Sequence, residues 1–240
     1  MSFRQSLGLI MAGFFALSGQ AQACPLEVRD ARRLIFVTAR AMTSVAAKLT
    51  LYERESAEGP WRRVHVAEPA VVGRSGLGWG ANFVDFARAG EPRKAEGDMR
   101  TPAGIYPIGP PFGFAPSTLQ RYIEIRKGET ICVDDPSSPQ YNRVASRAEV
   151  GPKTHFEDMG AVELYRRGLI VDYPTAAAGS CIFIHVWRSN TKGTAGCVAL
   201  PEERVSAIQD FAQPGAVVAI LPEAALPRFA GCLPDIHPTE

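Results

Sequence analysis

Hydrophobic and polar positions follow a period of two along most of the chain. Leu34-Ile35-Phe36-Val37 is a short continuous apolar run, and Lys48-Leu49-Thr50-Leu51-Tyr52-Glu53 alternates. Glu58-Gly59-Pro60 then punctuates the chain before Trp61-Arg62-Arg63-Val64-His65-Val66, which predicts two strands joined as a hairpin. On the second of them His65, between Val64 and Val66, faces solvent. Residues 71–80 carry too many glycines for a regular element and read as a loop, and residues 93–100 read as charged and exposed. Thr101-Pro102-Ala103-Gly104 opens an extended segment, Ile105-Tyr106-Pro107-Ile108, in which proline predicts an edge strand or a bend. Further strands are predicted over 119–125, 130–133 and 169–173, and Asp134-Asp135-Pro136-Ser137-Ser138-Pro139 has the residues of a turn. Residues 157–167 show mild helical spacing through Met159, Val162, Tyr165 and Arg166. A firmer helix is predicted over 201–211, with proline in its first turn, acids at its positive end and Val205, Ile208 and Phe211 on one face. A strand over 215–221 closes the sheet, and many short strands with few helices make the chain mainly β.

The first residues follow another rule. Arg4 precedes an apolar run over 7–17, and Ala21-Gln22-Ala23 ends it with a small-x-small pattern, so 1–23 reads as a signal peptide cleaved after Ala23. The run is too short to span a bilayer, which takes about 20 residues. Cys24 is a poor lipid acceptor, because Ala21 and Gln22 stand where a lipobox has a larger apolar and a small residue. The expected mature chain, 24–240, is an exported protein with no membrane span and a single domain whose core covers about 34–221. Lys plus Arg number 26 against 25 Asp plus Glu, which leaves no electrostatic footprint for nucleic acid.

Five cysteines, Cys24, Cys132, Cys181, Cys197 and Cys232, are an odd number, so at least one is unpaired or pairs between molecules. Cys24 and Cys232 lie near the two mature termini and can staple them. Cys132 and Cys181 sit in β-like apolar runs and can bridge two strands, or they can be buried thiols. Bridging both pairs leaves Cys197 free.

The candidate chemistry lies in Ser180-Cys181-Ile182-Phe183-Ile184-His185 and Thr194-Ala195-Gly196-Cys197. An apolar strand delivers an imidazole at its end, and a small-residue turn delivers a thiol 12 residues later. Three readings compete: a core histidine and cysteine, a zinc site, and covalent catalysis by a thiolate with its base. No close-spaced ligand pair supports zinc. Covalent catalysis gains from the odd cysteine and from Gly196, which lets a carbonyl approach backbone N–H groups. The helix predicted from Pro201 starts four residues after Cys197 and is expected to favour the thiolate. Asp134 and Asp135 are adjacent and point to opposite faces in an extended chain, so a turn or a substrate-ammonium role suits them better than paired acid/base catalysis.

The stretch resembles the signature of the YkuD-type L,D-transpeptidases, bacterial enzymes that remodel peptidoglycan: a strand-end His, then Ser or Thr, one residue, Gly and the catalytic Cys. Glu96-Gly97-Asp98 with Thr101-Pro102-Ala103-Gly104, Asp134-Asp135-Pro136 with Tyr141-Asn142-Arg143, and Val171-Asp172-Tyr173 resemble one periplasmic branch of that family. The resemblance implies a β-sandwich of mixed sheets with a few short helices, and neither cofactor nor metal. It implies Cys197 as nucleophile and His185 as base, with Gly196, Thr194, Arg188, Asp134, Tyr141 and Asn142 contacting substrate. The implied partners are peptidoglycan stem peptides, with carbapenem-type β-lactams as inhibitors. The implied product is a crosslink from meso-diaminopimelate, 3→3 or 1→3 to L-Ala; a carboxypeptidase or an inactive wall-binding protein are the alternatives. The commoner family motif has His where this chain has Ala195, and Arg or Asn where it has Ala199; Arg188 or Lys192 can supply the missing positive charge.

Overall fold

A computed structural model describes residues 24–174, 178–212 and 214–235; the expected signal peptide lies outside them. The apolar run at Leu34 becomes β1 (Arg33–Ala39), and the alternating one becomes β2 (Ala46–Glu53). The predicted hairpin is present: β3 (Arg62–Arg63) pairs antiparallel with β2, Tyr52 against Arg63. Next come β4 (Glu68–Val71), β5 (Leu77–Trp79), β6 (Thr101–Gly113) and β7 (Ile123–Glu124). Then β8 (Thr130–Val133), β9 (Val144–Ser146) and β10 (Phe156–Asp158) form a separate three-stranded sheet, in the order β10-β8-β9. The chain returns to the main sheet with β11 (Arg167–Val171), β12 (Phe183–Val186), β13 (Val198–Leu200) and β14 (Val217–Pro222). Two α-helices, α1 (Leu26–Arg29) and α2 (Glu202–Phe211), complete it with short 3-10 turns. The molecule is mainly β, with mixed parallel and antiparallel sheets and few short helices.

The main sheet runs β1-β14-β6-β11-β12-β13-β4-β2, and pairing of β1 with β2 joins its two ends. A closed ring follows, and closure removes the edge strands that an open sheet must protect. Alternate residues share a face. Ile35, Val37, Leu49, Leu51, Ile184, Val198, Val218 and Ile220 point one way and build the main core with Val205 and Ile208 of α2. The other face carries His185, Ala199, Val71 and Ala46, which are successive register partners across β12, β13, β4 and β2.

Three expectations give way. The proline-bearing segment is no edge: β6 is the longest strand, 13 residues, and lies inside the ring. Its prolines are accommodated because Gly104–Pro107 register with β14 whereas Ile108–Gly113 register with β11, so neither flank needs an unbroken ladder. The glycine-rich segment contains β5, parallel to Thr101–Ala103, where Gly76 adopts φ 80° and backs onto the Met42 carbonyl at a distance no side chain would fit. Residues 157–167 are not an α-helix but the end of β10 followed by two 3-10 turns, the first capped by Asp158 at Gly160 N–H.

A candidate active site at the thiol of Cys197

β12 is a fully buried strand, and His185 is its third residue. β13 pairs with it in parallel, His185 opposite Ala199, so Cys197 lies on the same face as His185 and diagonal to it. Strand spacing and rise place their Cα atoms about 8 Å apart. Both are about 5% exposed. They border a second apolar cluster between the main ring and the three-stranded sheet, which includes Phe112, Tyr165, Phe183 and Met159.

Imidazole orientation follows from one bond. His185 Nδ1 lies 2.8 Å from the Val186 carbonyl, which only accepts, so Nδ1 carries the proton and Nε2 keeps its lone pair. Tyr165 stands edge-on to the ring, centroids 5.1 Å apart. Burial pushes the imidazole pKa down to about 4, against a smaller upward pull from the Val186 carbonyl. At neutral pH it is an uncharged base.

The thiol is the free cysteine of the chain; Cys24 pairs with Cys232 and Cys132 with Cys181. Sγ donates to the Cys181 carbonyl and receives the Phe183 N–H, each at 3.4 Å. Burial pushes its pKa up to about 12; Phe183 N–H and the charge of Lys94 pull down, and Glu157 pushes further up. The helix expected to favour the thiolate does not do so. α2 begins at Glu202, beyond β13 and Pro201 and about 16 Å along the chain from Cys197, and burial is the largest influence on the thiol. Thiol and imidazole therefore rest as a neutral pair.

The turn that presents Cys197 is tied from two sides. Thr194 Oγ1 donates to the Cys197 carbonyl at 2.7 Å and receives Gly196 N–H at 3.1 Å; Thr101 Oγ1 donates to the same carbonyl at 3.0 Å. Gly196 has φ 155°, and a side chain there would press on the Arg100 carbonyl. Thr194 and Gly196 thus shape the turn, and the Gly196 N–H is already engaged.

The other expected substrate contacts are spread more widely. Tyr141 donates its hydroxyl to Glu96, whose Oε2 also takes the Ser180 hydroxyl at 2.9 Å. Asn142 holds two backbone groups, donating to the Tyr173 carbonyl and receiving Cys181 N–H, each at 2.8 Å. Both ends of its amide are committed, so it positions the Cys181 segment instead of facing a substrate. Asp134 is 2.5 Å from His155 Nδ1 on the flanking sheet, while Asp135 caps the turn through Ser137. Arg188 is exposed in the loop after β12, with no ion-pair partner among the described residues, and the cation whose charge acts on the thiol is Lys94.

Three residues escape a reading of the sequence. Lys94, in the segment expected to be exposed, is 7% exposed, and its Nζ bonds Asp98 and the Ala95 carbonyl at 2.6 Å. Tyr165 donates to Glu157 at 3.0 Å, and burial raises the Glu157 pKa. Helical spacing at 157–167 hides this pair; only the pairing of Glu157 with Cys132 on β8 brings it to the site.

No group of three or more potential metal ligands occurs among the described residues. No helix among them is long and apolar enough to cross a membrane.

No curated protein sequence matches the chain. Among solved structures, Bdellovibrio bacteriovorus Bd1075 is similar at 17% identity, with a TM-score of 0.40 over 80% of this chain and 48% of that one. Mycobacterium tuberculosis L,D-transpeptidase 1 is similar at 11% identity and a TM-score of 0.33, over 80% of this chain and 62% of that one. An L,D-transpeptidase (Yku) from Stackebrandtia nassauensis is similar at 13% identity and a TM-score of 0.33, covering 85% and 60% respectively. The chain thus spans about half to three-fifths of the length of these proteins. The model of the YkuD L,D-transpeptidase catalytic domain matches residues 38–220, and the chain belongs to that family.

Proposed function

We propose that the protein is a peptidoglycan L,D-transpeptidase that works through a thioester on Cys197. The observation that carries this reading is a free thiol on the same sheet face as an imidazole whose Nδ1–H is tied to a carbonyl, leaving Nε2 as acceptor. As a donor stem enters, His185 Nε2 takes the Sγ proton while sulfur attacks the carbonyl carbon of meso-diaminopimelate at position three. The oxyanion forms beside the turn. Because the Gly196 N–H is engaged by Thr194, the Cys197 N–H is the donor assigned to it. Collapse returns the proton from His185 to the leaving nitrogen, and D-Ala departs. An acceptor amine then attacks the thioester, His185 removes its proton, and the thiol re-forms.

A neutral resting pair suits this scheme, since the proton moves only as the substrate takes the new charge. The protein is read as exported to the periplasm, where its two disulfides fit an oxidising compartment and its crosslinks bear on wall organisation and cell shape.

The acceptor is proposed as a second diaminopimelate, giving a 3→3 link. A 1→3 link to the L-Ala amine is the second reading, because Ala199 is the register partner of His185 and places only a methyl group beside the imidazole. Mass spectrometry of the protein with a tetrapeptide muropeptide tests both. A dimer lacking one D-Ala is expected, its fragments reporting which amine is linked. A trimmed monomer assigns a carboxypeptidase. Unchanged muropeptide, with no mass added to Cys197 by a carbapenem, removes the enzyme reading.

A further inference from the structure

Several ties converge on Ser180 and Cys181, the residues that lead towards β12. Asn142, in the loop between β8 and β9, accepts the Cys181 N–H at 2.8 Å and donates to the Tyr173 carbonyl at 2.8 Å. Glu96 Oε2, in the loop between β5 and β6, accepts the Ser180 hydroxyl at 2.9 Å and also the hydroxyl of Tyr141, the neighbour of Asn142. A covalent tie joins them, the disulfide from Cys181 to Cys132 on β8. Held in this way, Cys181 adopts φ 55° and Asn142 φ 59°, left-handed conformations that a residue with a side chain keeps only where its surroundings impose them.

What the ties hold in place is the thiol. The Cys181 carbonyl accepts the Cys197 S–H, and the Phe183 N–H donates to the same sulfur. A carbonyl aimed at sulfur favours the protonated thiol and opposes the thiolate. It also engages the proton that His185 Nε2 must take, and it helps to keep Cys197 only 5% exposed. The Phe183 N–H belongs to β12 and stays with the sheet, whereas Cys181 lies before the strand and depends on the ties.

We propose that Asn142 and the Cys132–Cys181 disulfide are positioning elements of the nucleophile: they latch the Cys181 carbonyl onto the Cys197 thiol, and a dithiol reductant opens the latch. Opening breaks the Cys132–Cys181 bond, and each sulfur gains one electron and one proton from the dithiol, which leaves as its own disulfide. Cys197 remains a thiol throughout. Freed from the carbonyl, its S–H turns to His185 Nε2 on the same sheet face. The inference deepens the proposed function and rests on it for the role of Cys197, but the latch itself is read without any wall substrate.

Alkylation of Cys197 by iodoacetamide, followed by peptide mass mapping, tests this. The latch is opened by either of two variants. Cys132→Ala/Cys181→Ala removes the covalent tie and leaves Cys24–Cys232 intact, and Asn142→Gly removes the amide while tolerating the left-handed backbone. Each should alkylate Cys197 about fivefold faster than wild type or more, the size of one lost hydrogen bond. Asn142→Asp, which still accepts the Cys181 N–H, should restore most of the slow rate, a rescue that general loosening of the fold does not give. Should the variants fail to fold, graded reduction of the wild type by dithiothreitol replaces them, and the rate should rise with opening of Cys132–Cys181 and not of Cys24–Cys232. A folded latch variant that alkylates no faster than wild type, or a rate that follows Cys24–Cys232, overturns the latch and leaves the thioester chemistry standing. Alkylation as expected, with a muropeptide neither crosslinked nor trimmed by the wild type, refutes the thioester reading alone.

Discussion

Burying His185 as a neutral imidazole has a cost that appears only in acid. Its folded pKa is about 4 against an ordinary 6.5, so below pH 6.5 the unfolded chain takes up a proton that the folded chain refuses. Stability is therefore lost as pH falls from 6.5 towards 4, and the loss then levels off. Linkage gives a deficit of about 2 kcal/mol at pH 5 and about 3 kcal/mol below pH 4, since each pH unit between the unfolded and folded pKa contributes about 1.36 kcal/mol. Other groups titrate in the same window, so the quantity to measure is the difference between wild type and His185→Gln, which keeps a polar side chain there without a titrating one. Urea unfolding at intervals from pH 7.5 to 4 should show the wild type falling further than the variant by that amount. His155 acts with the opposite sign, since Asp134 raises its pKa and its contribution is lost as pH rises, but it is largely exposed and present in both proteins. Parallel pH profiles for the two would refute the claim that the imidazole is buried and neutral.

Two further outcomes follow from interactions away from the thiol. Glu91 is held at a pKa of about 2, chiefly by the Arg228 guanidinium that also lies over Trp79, and both side chains are less than one-fifth exposed. Glu91→Gln should cost about 2–4 kcal/mol in denaturant unfolding near neutrality, and the difference from wild type should vanish as acid protonates Glu91 through pH 4.5 towards 2; a neutral effect at pH 7 sinks the assignment. In the oxidised protein denatured without reductant, one titratable thiol is expected, mapping to Cys197. Reducing Cys24–Cys232 and Cys132–Cys181, which close 208 and 49 residues, should lower stability by up to about 5 and 4 kcal/mol respectively on the chain-entropy account, and an unchanged unfolding midpoint after full reduction would contradict it.

Some of this is legible in the residues and some is not, for identifiable reasons. β1, the β2–β3 hairpin and α2 follow from periodicity and local turn or cap chemistry, which act within a few residues. The odd count of cysteines shows that at least one is unpaired, and the pairing of Cys24 with Cys232 and Cys132 with Cys181 in the structure leaves that one as Cys197. The strand-end His before a Thr-x-Gly-Cys turn points to His185, which lies on the same sheet face. β6 defies its prolines because their effect depends on which flank carries the ladder, and the chain cannot show that its two halves pair with different neighbours. Lys94 and Glu157 escape notice because a charged residue reads as exposed until tertiary pairing buries it. Asn142 has the residue type of a substrate contact, whereas its φ of 59° and two backbone bonds make it a clamp.

The neutral thiol also bears on how long the protein stays usable. Cys197 shares its apolar cluster with the Cys132–Cys181 disulfide, so an attacking sulfur and a cleavable bond are neighbours. Exchange between them, and oxidation of the free sulfur, both proceed through the thiolate. With its pKa near 12, only about one molecule in 10⁵ carries that thiolate at pH 7. Burial that would slow the first step of the proposed thioester chemistry therefore also preserves the sulfur, keeping it reduced and correctly unpaired.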